Sequence, residues 1–161
     1  MNPFFYLLLA KDLVERVKKK DFVPGTTGQA ECRSSISRAY YAAYHVALAF
    51  FNAVGLSVPG TDGHKTVIEC LRNSTDSDLE LAAGDLEQLH QQRHAADYRL
   101  DVLASERVTQ AESSIKLSEE VMASLNSKKQ SCTENAAKKI AISNAMYQWA
   151  TGPGGRRISR K

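Results

Sequence analysis

The stretch QAECRSSISRAYYAAYHVALAFFNAVG, residues 29–55, decides the fold. Its apolar residues recur at steps of three and four, as one face of a helix requires. No glycine or proline interrupts the pattern until Gly55, which stands where a left-handed C-terminal cap is expected. We therefore predict one long buried helix. Its core positions are Ile36, Ala39, Tyr40, Ala43, Tyr44, Ala47, Phe50 and Phe51.

Amphipathic patterns on both sides of this stretch predict further helices. The first is expected to pack through Phe5, Leu8, Leu9, Leu13 and Val17. The fourth is expected to begin with a capping box that Ser77 and Glu80 form, and the sixth with Thr133 as its cap. The further predicted bounds are Pro3–Lys20, His64–Asn73, Ser77–Tyr98, a helix from just after Ser105 to about Leu125, and Thr133–Trp149.

Short connections between amphipathic helices predict an all-α, up-and-down bundle of about five helices over residues 1–126. Polar residues 126–131 predict a linker, so residues 127–150 are expected to hold this linker and an additional C-terminal helix. Residues 151–161 combine glycine, proline and four positive charges and predict a disordered basic tail. No stretch predicts a β-strand.

Composition and charge narrow the function classes. The hydrophobic fraction of 43% and the charged fraction of 24% are those of an ordinary soluble domain. The net charge is +3, and it becomes −1 when the four cations of the last six residues are left out. A charge argument for nucleic-acid binding therefore applies to the tail alone. These four are Arg156, Arg157, Arg160 and Lys161.

Cysteine spacing and hydropathy predict a cytoplasmic protein without a metal. Cys32, Cys70 and Cys132 are widely separated and form no C-x-x-C pair, which argues against zinc and for reduced thiols. His90 and His94 have the spacing of two ligands on one helix face, but the arginine between them disfavours a cation. No apolar run reaches the roughly 20 residues of a membrane span, so no membrane contact is expected. No cofactor motif occurs, and none is expected.

Three short motifs carry a resemblance. Residues 37–45, SRAYYAAYH, resemble the second-helix signature of HEPN-domain proteins, which are helical nucleotide- and RNA-associated domains. Residues 63–68, GHKTVI, are similar to the third-helix start of the short single-domain bacterial and archaeal branch. Residues 93–98, RHAADY, are similar to its fourth-helix Arg-x-x-Ala-Asp-Tyr. The matches occur in the family's order and cover roughly residues 5 to 125.

The resemblance implies a homodimer that works with a nucleotidyltransferase-like antitoxin in a toxin–antitoxin or defence system, with RNA as a further partner. Tyr98 is then the candidate for modification. Catalytic relatives carry an arginine, then four to six intervening residues, then a histidine. Counting from Arg93, those positions hold Tyr98, Arg99 and Leu100, so the motif is not intact. If catalysis occurs, it is expected to use Arg93 with His94 or His45, and Asp97 is a further catalytic candidate.

The long helix carries a polar row of its own, Arg38, Tyr41 and His45. One interpretation is structural, with Arg38 paired to Asp97 and the tyrosines packed. The other is that this row and Arg93 hold a phosphate or a base, with His64 and Lys65 as further nucleotide- or RNA-binding residues. Arg38 and His45 also form a literal Arg-x6-His, but seven residues separate them by about 10 Å along a helix. Arg93 and Asp97, four residues apart, are alternatively a simple surface pair.

Three function hypotheses remain open from the sequence. The first is a HEPN module that acts with a nucleotidyltransferase-like partner. The second is a metal-independent endoribonuclease that acts as a homodimer, in which a base removes the ribose 2′-hydroxyl proton and a cation stabilises the phosphorane. The third is a non-catalytic adaptor that uses the sixth helix and the basic tail, for which deletion of residues 133–161 should remove function.

Overall fold

The computed structural model describes residues 2–19, 27–58, 63–153 and 158–161. Across these ranges the chain is an all-α helical bundle, which confirms the predicted fold class. A 3₁₀ turn, Leu103–Glu106, joins the fourth and fifth helices, and two short strands complete the elements. The helices are α1 Pro3–Lys19, α2 Thr27–Ala53, α3 Gly63–Arg72, α4 Ser77–Tyr98, α5 Val108–Glu134 and α6 Ala136–Thr151, and the strands are β1 Leu56–Ser57 and β2 Ser159–Arg160.

Several helix ends match the prediction and others correct it. The bounds of α4 are as predicted, Asn2 accepts a hydrogen bond from the Phe4 N–H at 3.0 Å, and Gly55 adopts a φ of +84°. The cap of α4 is Asp76 rather than a Ser77–Glu80 box, because Asp76 Oδ1 accepts from the N–H of Leu79 at 3.3 Å. The predicted start of α2 is two residues late, and residues 20–26 lie outside the described ranges.

The predicted linker at residues 126–131 is wrong. Those residues continue α5 without a break to Glu134, and α6 starts at Ala136. The cap of α6 is Asn135, whose side chain accepts from the Lys138 N–H at 3.0 Å, rather than Thr133. A polar composition misled the prediction because an exposed helix needs few apolar residues. None of the described helices has both the length and the hydropathy to cross a membrane.

The chain divides into two compact units. The first comprises Met1–Ala43 and Glu87–Glu120, and the second comprises Tyr44–Leu86 and Val121–Lys161. In the first unit, the Ser118 hydroxyl donates to the Ala39 carbonyl at 2.7 Å, so a small side chain on α5 permits close packing on α2. The buried residues of this unit include Ile36, Ala39, Tyr40, Ala43, Leu89, Ala96, Ala111 and Ile115.

The inner face of α1 differs from the prediction. Phe5, Leu8 and Leu9 were predicted to pack inside but are exposed, at 62%, 60% and 43%. Val17, which was also predicted to pack inside, is buried. The helix is instead packed through Leu7, Ala10, Val14 and Val17. The Ser35 hydroxyl donates to the Ala10 carbonyl at 2.8 Å, and such a close approach of α2 requires a small side chain on α1.

The second unit contains the short sheet. β1 and β2 pair antiparallel, with Leu56 opposite Arg160 and Ser57 opposite Ser159. Ile158, just before β2, is 8% exposed. The expectations of no strand and of a disordered tail are therefore wrong for residues 158–161, while residues 154–157 lie outside the described ranges. Deletion of residues 133–161 would remove buried core, and so it no longer isolates an adaptor function. That core includes Ile142, Met146, Ala150 and Ile158.

A buried ion pair ties α5 to the start of α4 in this unit. Lys128 is 7% exposed, and its Nζ lies 2.8 Å from Asp76 Oδ1 and 2.6 Å from Asp78 Oδ2. Burial acts to raise the pKa of Asp76, but the hydrogen bonds from Lys128 and from the Leu79 N–H outweigh it, so this pKa is lowered. The carboxylate therefore stabilises the fold while it is ionised.

Replacement of Lys128 by methionine should lower the free energy of unfolding by about 3 kcal/mol, because Asp76 then stays buried without its cation. Lys129→Met, an exposed neighbour on α5, should change it by no more than about 0.5 kcal/mol. The contribution of a lowered carboxylate pKa is present above the unfolded pKa and lost as the pH falls through the folded one. The difference between wild type and Lys128→Met in urea denaturation should thus shrink below about pH 4. Equal stability of the two methionine variants would contradict this account.

Candidate functional site

Arg93 on α4 is the centre of a polar cluster in the first unit. Its side chain is 13% exposed, and Nε lies 2.7 Å from Asp97 Oδ2. This contact is an ion pair alone, since the buried Nε–H makes no hydrogen bond. Nη2 donates to the hydroxyl oxygen of Tyr41 at 3.0 Å and to that of Tyr98 at 3.1 Å. One guanidinium thus connects two helices and three side chains.

The sequence spacing explains why these groups meet. Arg93 and Asp97 are four apart and share a face of α4, and Tyr98 follows at the helix end. On α2, Ser37 and Tyr41 are also four apart. The Ser37 hydroxyl donates to Asp97 Oδ2 at 3.3 Å, one turn before Tyr41 reaches Arg93. These five residues, Ser37, Tyr41, Arg93, Asp97 and Tyr98, are called the Arg93 cluster.

Aromatic rings surround the guanidinium. Its Cζ lies 5.5 Å from the ring centre of Tyr41 and 5.0 Å from that of Tyr98. The Tyr41 ring also packs beside Tyr6 on α1, with 6.1 Å between ring centres. Burial acts to lower the pKa of Arg93, but Tyr41, Asp97 and Tyr98 outweigh it, and the pKa is raised. The Arg93 guanidinium is therefore always protonated, and the Asp97 carboxylate balances its charge.

One edge of this guanidinium is left for a ligand. Nη1 makes no hydrogen bond to any residue in the described ranges, whereas Nη2 makes two. Beside it, Tyr98 is 62% exposed, and the exposed His94 ring lies 5.1 Å from the Tyr98 ring. A guanidinium edge with adjacent exposed rings suits a phosphate or carboxylate that carries an aromatic group.

The residues predicted on α2 have separate fates. Tyr41 joins the Arg93 cluster. The predicted pairing of Arg38 with Asp97 is wrong, because Asp97 pairs with Arg93, as the alternative proposed. Arg38 is partly exposed and makes no ion pair or hydrogen bond within the part of the chain that the structure describes. It lies three residues before Tyr41 on the same helix, so its charge adds to that of the cluster.

His45, His64 and Lys65 lie in the second unit. The rings of His45 and His64 are 5.7 Å and 4.3 Å from that of Tyr44, and burial lowers the pKa of His45. Lys65 is exposed and lies 3.7 Å from the Glu69 carboxylate. Of the literal Arg-x6-His, Arg38 belongs to the first unit and His45 to the second.

The predicted catalytic residues divide by role. Asp97 serves as the ion-pair partner of Arg93 and the acceptor of Ser37, which makes it a positioning residue. His94 keeps an exposed imidazole beside Tyr98. His90 packs beside Tyr40, with 5.4 Å between ring centres, and burial, Arg93 and His94 lower its pKa, so it is neutral at pH 7. Among the described residues no group of three His, Cys, Asp or Glu side chains is arranged for a metal ion.

Arg33 holds the segment that follows Tyr98, and the sequence analysis missed it. Its side chain is 10% exposed, and Nη2 lies 2.9 Å from Glu106 Oε1. The same guanidinium donates to the carbonyls of Ala95, Ala96, Arg99, Leu100 and Val102 at 3.1–3.3 Å. It thus caps the C-terminal end of α4, where carbonyls lack helical partners. A charged residue next to the apolar positions of α2 was the available signal.

Comparison of the chain with protein-family models, with curated proteins and with solved structures finds no match. The resemblance to HEPN-domain proteins therefore depends on the three sequence motifs. Residues of two of them, Ser37 and Tyr41 from the first and Arg93, Asp97 and Tyr98 from the last, meet in the Arg93 cluster.

Replacement of Arg33 by methionine should lower the free energy of unfolding by about 3 kcal/mol or more, because Glu106 and five carbonyls lose a buried cation. Amide hydrogen exchange should rise most in residues 99–106. Arg99→Met is the matched control, since Arg99 is 58% exposed and pairs with the exposed Asp101. It should leave both quantities nearly unchanged. Similar exchange in the two variants would show that Arg33 does not hold this segment.

Proposed function

We propose that the chain is a HEPN-type module that binds RNA or a nucleotide through the Arg93 cluster and belongs to a toxin–antitoxin or defence system. The observation that carries this proposal is the Arg93 guanidinium, which Asp97, Tyr41 and Tyr98 hold with Nη1 left for a ligand. A structural arginine would be expected to use all of its donors when it is this well ordered.

A nucleotide would bind through a hydrogen-bond donor, an aromatic ring and a second cation. A phosphate oxygen accepts a charge-assisted hydrogen bond from Nη1. A base stacks on the exposed Tyr98 ring or on His94, as bases do in single-stranded RNA complexes. Arg38 adds a second positive charge one helical turn from Tyr41. The raised pKa of Arg93 keeps the guanidinium protonated at every physiological pH.

The resemblance implies two protein partners, a nucleotidyltransferase-like protein and a second copy of this chain. The exposed Phe5, Leu8 and Leu9 on α1 support a contact with a second protein surface. Tyr98 supports modification, because its hydroxyl is at the surface and bonded to Arg93. A nucleotidyl group on that oxygen would place a phosphate against the guanidinium and occupy the site. Mass spectrometry of the chain isolated from its native cells would detect this group on the peptide that contains Tyr98.

The endoribonuclease hypothesis is the second candidate, and His94 favours it. The exposed imidazole lies beside Tyr98, which bonds to Arg93, so a base and a cation share one surface of α4. In this reaction His94 would take the proton of the 2′-hydroxyl as that oxygen bonds to phosphorus, and Arg93 would stabilise the charge on the phosphorane. The bond from phosphorus to the 5′-oxygen would then break, and the same imidazolium would return its proton to the departing oxygen. Asp97 would orient Arg93.

Arg93→Ala should weaken the binding of a fluorescein-labelled single-stranded RNA by roughly tenfold or more, since a charged hydrogen bond contributes about 1.5–3 kcal/mol. Arg99→Ala removes an exposed arginine from the end of α4 and should change the affinity less than about twofold. Fluorescence anisotropy measures both, and circular dichroism checks that each variant is folded. An equal loss in the two variants would contradict a site at Arg93.

The same proteins, incubated with unlabelled RNA in EDTA, separate the two candidates. EDTA removes contaminating metal-dependent nucleases and leaves a metal-free site intact. Cleavage by the wild type that Arg93→Ala and His94→Ala both abolish would establish the endoribonuclease. Binding without cleavage would establish the module that acts through a partner.

A further inference from the structure

A second group of cations lies in the second unit, around a cavity of about 230 Å³. The cavity is formed by α6, by the turn that ends at Gly55 and by the C-terminal strand. It is lined by Val54, Gly55, Lys139, Ile140, Ser143, Asn144, Arg160 and Lys161. These residues belong to the second unit, and the residues of the Arg93 cluster belong to the first.

The cationic side chains around this cavity have no acidic side chain beside them among the described lining residues. Three of those lining side chains are cationic and none is acidic. Lys139 and Lys161 make no side-chain ion pair or hydrogen bond with any residue in the described ranges. Like charges that share a low-dielectric surface repel each other and raise the local concentration of anions.

A cavity in the first unit shows what a compensated surface looks like. It measures about 330 Å³ and also has three lining lysines. There Lys11 lies 2.5 Å from Glu119, and Lys18 lies 2.6 Å from Glu112 and 2.9 Å from Glu15. Lys11 and Lys18 are thus paired with carboxylates that line the same cavity, and the third lysine, Lys116, lies 3.8 Å from Glu120. The cavity of the second unit lacks such acidic lining residues and is the better anion site.

Arg160 is held in place at this cavity. Its Nη2 donates to Asn144 Oδ1 at 2.7 Å, and its Cζ lies 4.4 Å from the ring centre of Tyr147. The backbone is fixed by the pairing of Arg160 with Leu56 and by the Lys161 N–H, which donates to the Gly55 carbonyl at 2.9 Å. The cation is therefore ordered before a ligand arrives, which lowers the entropic cost of binding.

We propose that this cavity binds the phosphate backbone of single-stranded RNA. Arg160, Lys139 and Lys161 supply the cations that neutralise phosphates. Ser143 adds a hydroxyl donor. Ile140, which is 58% exposed, and Val54 supply an apolar wall against which a base or a ribose packs. Three cations beside an apolar wall match a nucleotide, which carries a phosphate next to a base and a ribose.

The test measures the affinity and its salt dependence with a 2′-O-methylated oligouridine, which the endoribonuclease chemistry cannot cleave. The double variant Lys139→Ala/Arg160→Ala should bind roughly tenfold more weakly. Its slope of log affinity against log salt concentration should fall by about 1.4, since each single-strand phosphate contact contributes about 0.7. Lys116→Ala/Arg99→Ala removes the same charge at exposed positions of the first unit and should leave the slope unchanged.

The single variant Lys139→Ala guards against a folding defect, because this side chain has no described partner to lose. It should lower the slope by about 0.7. Equal losses in the two double variants would overturn the proposal, as would tighter binding of a polyglutamate peptide than of the oligonucleotide. The Arg93→Ala substitution separates the two sites. If it weakens binding while the Lys139 and Arg160 variants have no effect, this inference fails and the proposed function stands.

Discussion

The candidate site depends on the hydrogen bonds that the buried guanidinium of Arg33, on α2, donates to the end of α4. Arg33 satisfies five carbonyls at and beyond the end of α4 and pairs with Glu106. Without it, Glu106 and these carbonyls would lose a charged hydrogen-bond donor that is only 10% exposed, which costs free energy. Tyr98 is the last residue of α4, and Asp97 precedes it. The positions of two members of the Arg93 cluster thus follow from Arg33.

The cations of the chain differ in what remains for a ligand. Arg33 and Lys128 donate their hydrogen bonds to groups of the protein, and both are structural. Arg93 uses two side-chain nitrogens within its cluster and keeps the third. Lys139 and Lys161 have no described partner at the surface of a cavity. This gradation, more than net charge, distinguishes a cation that stabilises the fold from one that can bind an anion.

Long periodic segments carried the successful predictions. Both α2 and α4 repeat their apolar residues over more than 20 positions, and Gly55 ends the first with the left-handed conformation that glycine favours. The same regularity placed Tyr41, Arg93, Asp97 and Tyr98 on predictable faces. Their meeting at one guanidinium was anticipated only in part, since Arg38 was paired with Asp97 in one interpretation.

The errors come from interactions between residues distant in sequence. The apolar residues of α1 form two stripes with helical spacing, one of larger and one of smaller side chains. The stripe that contains Ala10 is buried, because the Ser35 hydroxyl approaches the Ala10 carbonyl closely. The polar residues 126–131 were predicted to be a linker. The burial of Lys128 depends on its ion pairs with Asp76 and Asp78, which are distant in sequence, so the sequence pattern could not indicate it. The role of Arg33 was not predicted because its partners are mainly main-chain carbonyls, which every residue has and which no sequence pattern distinguishes. A two-residue strand pair is too short for any pattern.

Photocrosslinking with an RNA that contains 4-thiouridine tests the central claim most directly, because it locates the bound base without a substitution. The account predicts that mass spectrometry will find adducts on peptides that contain Tyr41 or residues 94–98, where the exposed rings of His94 and Tyr98 lie beside the Arg93 guanidinium. Adducts confined to other peptides of the first unit, or RNA binding with no adduct near Tyr98, would contradict a ligand site at Arg93.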